Sequence, residues 1–234
     1  MKWILNADLG EGEPPELTRA LMAHVGAANV ACGGHAGTPE SMDLAVSLAK
    51  ANEVRLGAHP GIPGEFGRGT VAITPTNLEA LLIEQIQRLV AAAEPHDLPL
   101  HHVKLHGALY HAVERDDSLA QRYCEVVRDQ FPRVKIFALA SGRVSHLARN
   151  LGIAAWDEYF AERGYTPAGT LIPRGQPGDL THDLDEITRR VRGWLSEGQP
   201  GPRTICVHAD SPGAVEIAAT VSRLLADPRS APVS

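Results

Sequence analysis

Short apolar runs alternate with helix-like stretches from one end of the chain to the other, and this sevenfold alternation constrains the fold more than any other feature. The runs are Trp3–Ala7, Ala28–Cys32, Val54–Ala58, His102–Leu105, Val134–Ala140, Ile153–Trp156 and Thr204–Val207, most of them followed by Gly, Pro or a polar residue. Their length and boundaries predict strands. The segments Pro15–Val25, Pro39–Asn52, Thr74–Ala93, Ser118–Phe131, Gly142–Leu151, Asp183–Ser196 and Pro212–Leu225 read as helices. In the third, Leu78, Leu81, Leu82, Ile86, Leu89 and Val90 recur at three- and four-residue steps, which predicts one face packed on a sheet. Strands separated by helices run parallel through right-handed crossovers and form either a doubly wound sheet or a closed barrel.

The parity of polar residues separates these two. Asn6 and Asp8 share one face of the first strand, Asn29, Gly33 and His35 one face of the second, His102, Lys104 and His106 one face of the fourth, and Cys206, His208 and Asp210 one face of the last. Opposite faces carry Trp3, Leu5, Val30, Val103, Leu105, Ile205 and Val207, which suit an outer helix layer. Doubly wound sheets are apolar on both faces, whereas a barrel can point polar side chains into its mouth. The fold class expected is therefore α/β, a seven-stranded parallel β/α barrel of TIM-like type with an incomplete eighth position. The length of 234 residues suits one such domain spanning 1–234. The segment Arg163–Asp183 is too long for an ordinary connection and too rich in Gly and Pro for a helix, so it is expected to be a lid or binding loop.

Several function classes drop out. Hydrophobic residues at 44% and charged residues at 21% allow a sizeable core, which argues against disorder. A net charge of −6 offers no basic surface for counterion release, so nucleic acid is not an expected partner. Three cysteines do not make a disulfide framework, and their thiols are expected reduced. The first apolar run is too short for a signal peptide and none is long enough to span a bilayer, so the expected location is cytoplasmic, away from the membrane. GxxxxGK[ST], HExxH and CxxC are all missing from the sequence.

Nearly every strand is followed on its carboxyl side by ionisable residues: Asp8 and Glu11, His35, His59, Lys104 and His106, Glu158, then His208 and Asp210. Barrel active sites are assembled at that face from several strands, which favours an enzyme. In NADLGEG the two carboxylates suit a general base with its orienting partner, or metal ligands. Cys32 lies three residues before His35 but on the apolar face, where a buried, inert thiol is expected. Lys104 either polarises a carbonyl or pairs with Asp8 or Asp210. Asp8, His35, His59, His106, His208 and Asp210 include every ligand type of a catalytic zinc, so a divalent metal stays open.

The segments LNADLGEG (5–12), ANVACGGHAGTPESM (28–42), GAHPGIP with FGR (57–68), HVKLHGALYH (102–111), EYFAERGYTPAGTLIPR (158–174) and ICVHADSPGAV (205–215) together resemble the LamB/YcsF lactam-utilisation family, the 5-oxoprolinase A subunits. The resemblance spans nearly the whole chain, in the family's order. It departs at Ile4, Gly34, Thr38, Gly69, Leu105 and Ala209, and retains the ionisable set. It implies a barrel of the glycoside hydrolase/deacetylase type and, with two other subunits, ATP-dependent opening of the lactam 5-oxoproline to glutamate, the ATP being held by the partners. A lactam carbonyl is resonance-stabilised and its nitrogen leaves poorly, so activation by phosphorylating the carbonyl oxygen is a chemical route to attack by water. On this reading Asp8 is the base for water, His59 or His106 donates a proton to the ring nitrogen, and Lys104 stabilises charge on oxygen. Arg68 or Arg174 holds a carboxylate or phosphate, Glu158 and Asp210 orient the cations, and His35 joins the catalytic group. Asn6, Glu11, Asn29 and His208 complete the substrate contacts. Two alternatives stand beside it: a metal-dependent amide hydrolase or deacetylase that needs no ATP, and a non-catalytic subunit that binds partners.

Overall fold

The computed structural model describes residues 3–64, 72–197 and 201–227. Among these residues the alternation closes on itself: β1 (Trp3–Leu9), α1 (Pro15–Met22), β2 (Ala27–Ala31), α2 (Pro39–Ala51), β3 (Arg55–His59), α3 (Pro75–Ala93), β4 (Leu100–Val103), α4 (Gly107–Arg115), α5 (Asp117–Gln130), β5 (Lys135–Leu139), α6 (Arg143–Asn150), β6 (Ala155–Phe160), α7 (Leu184–Ser196), β7 (Arg203–His208) and α8 (Ala214–Ala226). The seven strands form a closed barrel in chain order, every neighbouring pair parallel. The incomplete eighth position expected from the sequence does not exist: β1 pairs directly with β7, setting Asn6 level with Cys206 and Asp8 level with His208. That pairing satisfies both sheet edges, which would otherwise carry unpaired backbone groups.

Helix starts follow local chemistry. Thr38 caps α2 in a reciprocal box with Ser41, with Pro39 at the first helical position; at α3 Thr74 accepts from the Asn77 N–H, followed by Pro75, without the reciprocal half of the box. Asp116 caps α5 through the backbone N–H groups of Ser118 and Leu119, and Asp183 does the same for α7. Along α3 the buried stripe is Leu78, Leu82, Gln85, Ile86, Leu89 and Ala93, so it loses Leu81 and Val90 from the apolar pattern and gains Gln85 and Ala93. Val90 is left exposed, and Gln85 is turned inward because it grips both backbone groups of Gly61, accepting from its N–H at 3.0 Å and donating to its C=O at 2.9 Å.

Four strand ends lie further along than the apolar runs suggest, β3 and β7 by one residue, to His59 and His208. β1 continues through Asp8 to Leu9, and β6 runs to Phe160 with Glu158 inside it. A polar barrel interior lets a strand continue past the point where hydrophobicity stops. Helix α4, which had no counterpart among the expected helices, starts immediately at Gly107 behind the fourth strand. Among the described residues no helix is long and apolar enough to cross a membrane.

Inside the barrel three tiers stack from the amino to the carboxyl end of the strands. Ile4, Ala27, Phe137 and Trp156 form an apolar plug. Above them Asn6, Asn29, His102, Glu158 and Thr204 are linked by side-chain hydrogen bonds: Asn29 to Asn6 at 2.6 Å, Asn6 to Thr204 at 2.6 Å and to Glu158 at 3.1 Å, and His102 Nε2 to Asn29 Oδ1 at 2.6 Å. Linking these buried polar groups to one another offsets their desolvation. Gly57 on β3 makes room for the His102 ring, with which a Cβ at that position would collide. The third tier is the mouth.

Candidate active site

The carboxyl ends of the strands surround a pocket of about 360 Å³, the size class that takes small molecules. At its floor Lys104 Nζ donates to both oxygens of Asp8, at 2.6 and 2.7 Å, and Asn29 donates to Oδ1 at 2.7 Å. Burial alone would raise the Asp8 carboxyl, but His59 and Lys104 beside it hold it well below the usual carboxylate range. Burial alone would lower Lys104, and the Asp8 carboxylate holds it above its ordinary value instead. The pair is thus ionised although both side chains are nearly inaccessible.

Glu11 stands in the turn after β1. Glu13 clamps this turn by accepting from the N–H groups of Gly10 and Glu11 at 2.6 and 2.8 Å, which aims the Glu11 carboxylate at three histidines. Its Oε1 lies 2.8 Å from His106 Nδ1, 2.9 Å from His35 Nε2 and 3.3 Å from His59 Nε2. These contacts hold the carboxyl far below its ordinary range despite burial. His59 Nδ1 meets the backbone carbonyl of Lys104 at 2.8 Å; a carbonyl can only accept, so this nitrogen carries hydrogen and Nε2 faces the cluster. Burial lowers His59, but Asp8 outweighs it and the imidazole is raised to about 9. His35 stacks on His106, its ring packed against Gly61, and burial lowers it to about 4.

On the opposite wall His208 Nδ1 lies 2.5 Å from Glu162 Oε1, which also accepts the His208 backbone N–H at 2.9 Å. Burial would raise Glu162, but His208 keeps it low, so the carboxylate accepts and His208 donates. The other ring nitrogen, Nε2, is then directed to the pocket, 3.6 Å from Asp8 Oδ2. Cationic side chains ring the opening: Arg115 from α4, and Arg163 and Arg174 from the segment after β6. That segment is folded rather than loose, with ladder contacts Arg163 to Leu180 and Tyr165 to Leu171, and it lends Leu171, Pro173 and Arg174 to the pocket wall. His111 on α4 joins them, lowered to about 4 by burial and by Arg163 and Arg115.

Of the residues expected from sequence, Asp8, Glu11, His59, Lys104, His106, Arg174 and His208 line the pocket. Asn6, Asn29 and Glu158 lie beneath it in the polar tier, fully buried, and burial raises the Glu158 carboxyl. His35 sits behind His106 and off the pocket surface. Asp210 is exposed at the rim, 3.8 Å from Arg174. Arg68 lies outside the described residues. Glu162, Arg163, Arg115 and His111 were missed. Glu162 had a readable signal, since it shares parity with Glu158 and Phe160, whereas Arg115 and His111 become visible only with α4 in place. Cys32 is buried on the outer face of the barrel wall and its thiol is pushed up to about 12. Cys206 faces inward beside Lys104, at 3.3 Å, and burial raises it well above its ordinary value. Two sets of donor atoms are close enough to share a metal ion, Glu11 with His35, His59 and His106, and Asp8 with Cys206 and His208.

Comparison with known proteins follows the same outline. The sequence model of the LamB/YcsF family matches residues 4–231. The chain is 41% identical to the 5-oxoprolinase A subunit of Pyrococcus furiosus, over 96% of this chain and 94% of that one. It is 41% identical to the protein of that name from Thermococcus onnurineus, over 97% and 95%. The structure superposes on a lactam utilization protein from Thermus thermophilus with a TM-score of 0.86 at 36% identity, covering 100% of this chain and 99% of the other.

Proposed function

The chain belongs to the LamB/YcsF family, and from that premise we propose that it is the lactam-opening subunit of an ATP-dependent 5-oxoprolinase, acting with two partner subunits on 5-oxo-L-proline to give L-glutamate. The names carried by its relatives support the reaction, and the observation that carries it at this pocket is the division of charge: paired acid–base groups on the floor, arginines at the rim. A small cyclic amide bearing a carboxylate suits this arrangement, with its anionic group toward Arg174 and Arg163 and its amide toward the floor.

Within the chain, His208 is the group we assign to proton transfer. Glu162 fixes its tautomer and leaves Nε2 toward the pocket, so it accepts a proton from attacking water and returns it to the ring nitrogen as that nitrogen leaves. Asp8 is bound by Lys104 through both oxygens, which lowers its proton affinity; its part is to orient the Lys104 ammonium. Lys104 supplies positive charge where the lactam oxygen gains negative charge. The sequence holds no phosphate-binding loop, so ATP is assigned to the partner subunits, where it supplies the activation that amide opening at neutral pH needs.

A pair of substrates tests the orientation. In the complex with its partners, Arg174→Ala should raise KM for 5-oxoproline by about tenfold or more, the scale of a lost charge-assisted hydrogen bond. It should leave 2-pyrrolidinone, which lacks the carboxylate, at its wild-type rate, however slow. Equal losses on both lactams would contradict it.

A further inference from the structure

We propose that Glu11 Oε1, His59 Nε2 and His106 Nδ1 bind one divalent transition-metal ion of the zinc class, with its remaining coordination position open to the pocket. The three atoms form a triangle with edges of 2.8, 3.0 and 3.3 Å. An ion with bonds of about 2.0–2.1 Å to nitrogen and oxygen in tetrahedral geometry needs ligand–ligand edges of about 3.3 Å, so small outward shifts fit the triangle to one face of the tetrahedron. Two imidazoles and a carboxylate are an established donor set for catalytic zinc, and all three residues line the pocket, which is where the fourth position would open.

Ring orientation selects these three from the larger cluster. An imidazole lone pair lies in the plane of its ring. His59 and His106 stand at 87° to one another, so their lone pairs can meet at one point. His35 and His106 are parallel within 4° with centroids 3.6 Å apart, so an ion in the plane of one ring is out of the plane of the other. His35 is therefore a positioning residue, donating from Nε2 to Glu11 Oε1 at 2.9 Å and supporting the His106 ring from behind. His59 has the matching outer support, its Nδ1–H bound to the Lys104 carbonyl so that Nε2 presents a lone pair when the ring is neutral. Charge points the same way. Among the described residues the ion-pair partners of Glu11 are histidines only, while the nearest ammonium, Lys104, is taken up by Asp8. A metal ion at the triangle would supply, beside both carboxylates, the positive charge that a protonated His59 supplies in its absence.

The binding claim stands on ligand geometry and not on the lactam reading, and its test uses neither lactam nor ATP. The full chain is stripped with chelator, dialysed against Zn2+ or Co2+, and its metal content measured, with the visible absorption of Co2+ reporting coordination. About one equivalent is expected, with the intense bands of a four- or five-coordinate cobalt ion. Glu11→Gln and His106→Ala should each lose that spectrum, and His35→Ala should weaken affinity by about 10- to 100-fold while keeping it, as for outer-shell partners of metal ligands. His208→Ala should retain both stoichiometry and spectrum. Circular dichroism of each stripped variant separates loss of the site from loss of the fold, and Glu11→Gln, the least disruptive change, decides if His106→Ala does not fold. Absence of bound metal in the wild-type chain, binding unchanged in Glu11→Gln, or binding lost in folded His208→Ala would overturn the assignment.

Discussion

At the residue scale the site is governed by one buried ion pair. Asp8 and Lys104 have almost no access to solvent; Lys104 is held ionised chiefly by Asp8, and Asp8 by His59 and Lys104 together. Removing one charge from such a pair leaves the other uncompensated, at a cost of about 3–5 kcal/mol. Asp8→Asn should therefore lower both the melting temperature and turnover, and adding Lys104→Met should return much of the stability without returning activity. A single variant as stable as the wild type would show that the pair does not hold the floor together. Glu162 reaches the pocket through His208, with Ser211 Oγ donating to the same carboxylate oxygen at 3.4 Å. Glu162→Gln keeps an acceptor for the His208 backbone and removes the charge, so kcat should fall by about tenfold or more while KM stays near its wild-type value. A change confined to KM would make Glu162 a substrate contact instead. Chemistry-bearing residues were legible from sequence because a barrel collects them at strand ends, and the pairing of Lys104 with Asp8, 96 positions away, was one of the alternatives read from their inward faces; the pairing of His208 with Glu162 was not among the expectations.

At the scale of elements, all seven strands were legible from apolar runs, and their boundaries failed where the barrel interior is polar. The expected sixth strand ended at Trp156 with Glu158 beyond it, yet Glu158 lies inside β6, because in this tier a carboxylate meets Asn6 instead of apolar packing. Helix α4 was missed for a related reason: Gly107 marks a turn in a linear reading, and the nine residues of the helix it opens are too few to establish a period against the strand signal before them. That helix brings His111 to the pocket wall, and His111 makes a pH prediction. Burial, together with Arg163 and Arg115, keeps its imidazole at about 4, against about 6.5 in an unfolded chain. Between those values the unfolded state binds more protons, so stability rises with pH across the window and is lost as pH falls through it. His102, held well below its ordinary value by burial and by His101, adds in the same direction. His111→Gln should flatten the fall in melting temperature between about pH 6.5 and about pH 4; an unchanged slope would place the acid sensitivity in other groups.

At the scale of the whole molecule, closure explains how one chain assembles this pocket. With β1 paired to β7, the first and last strands bring Asp8 and His208 to the same level, and the intervening crossovers deliver Glu11, His59, Lys104 and Glu162 around them. The periodicity of the sequence implied a barrel, but whether seven strands suffice depends on the tilt and register of every pair, which no local pattern encodes. On the proposed reading, the acid–base groups and the arginines at the rim belong to this chain and the ATP to its partners. The most direct measurement is glutamate formation from 5-oxoproline by the purified chain alone, by the chain with its two partner subunits, and by that mixture without ATP, each repeated with His208→Ala. Glutamate should form only in the complete mixture with ATP, and His208→Ala should reduce it by about 10²-fold or more, as for loss of a general acid–base group. Glutamate released by the chain alone without ATP, or an undiminished rate from His208→Ala in the full complex, would contradict the account.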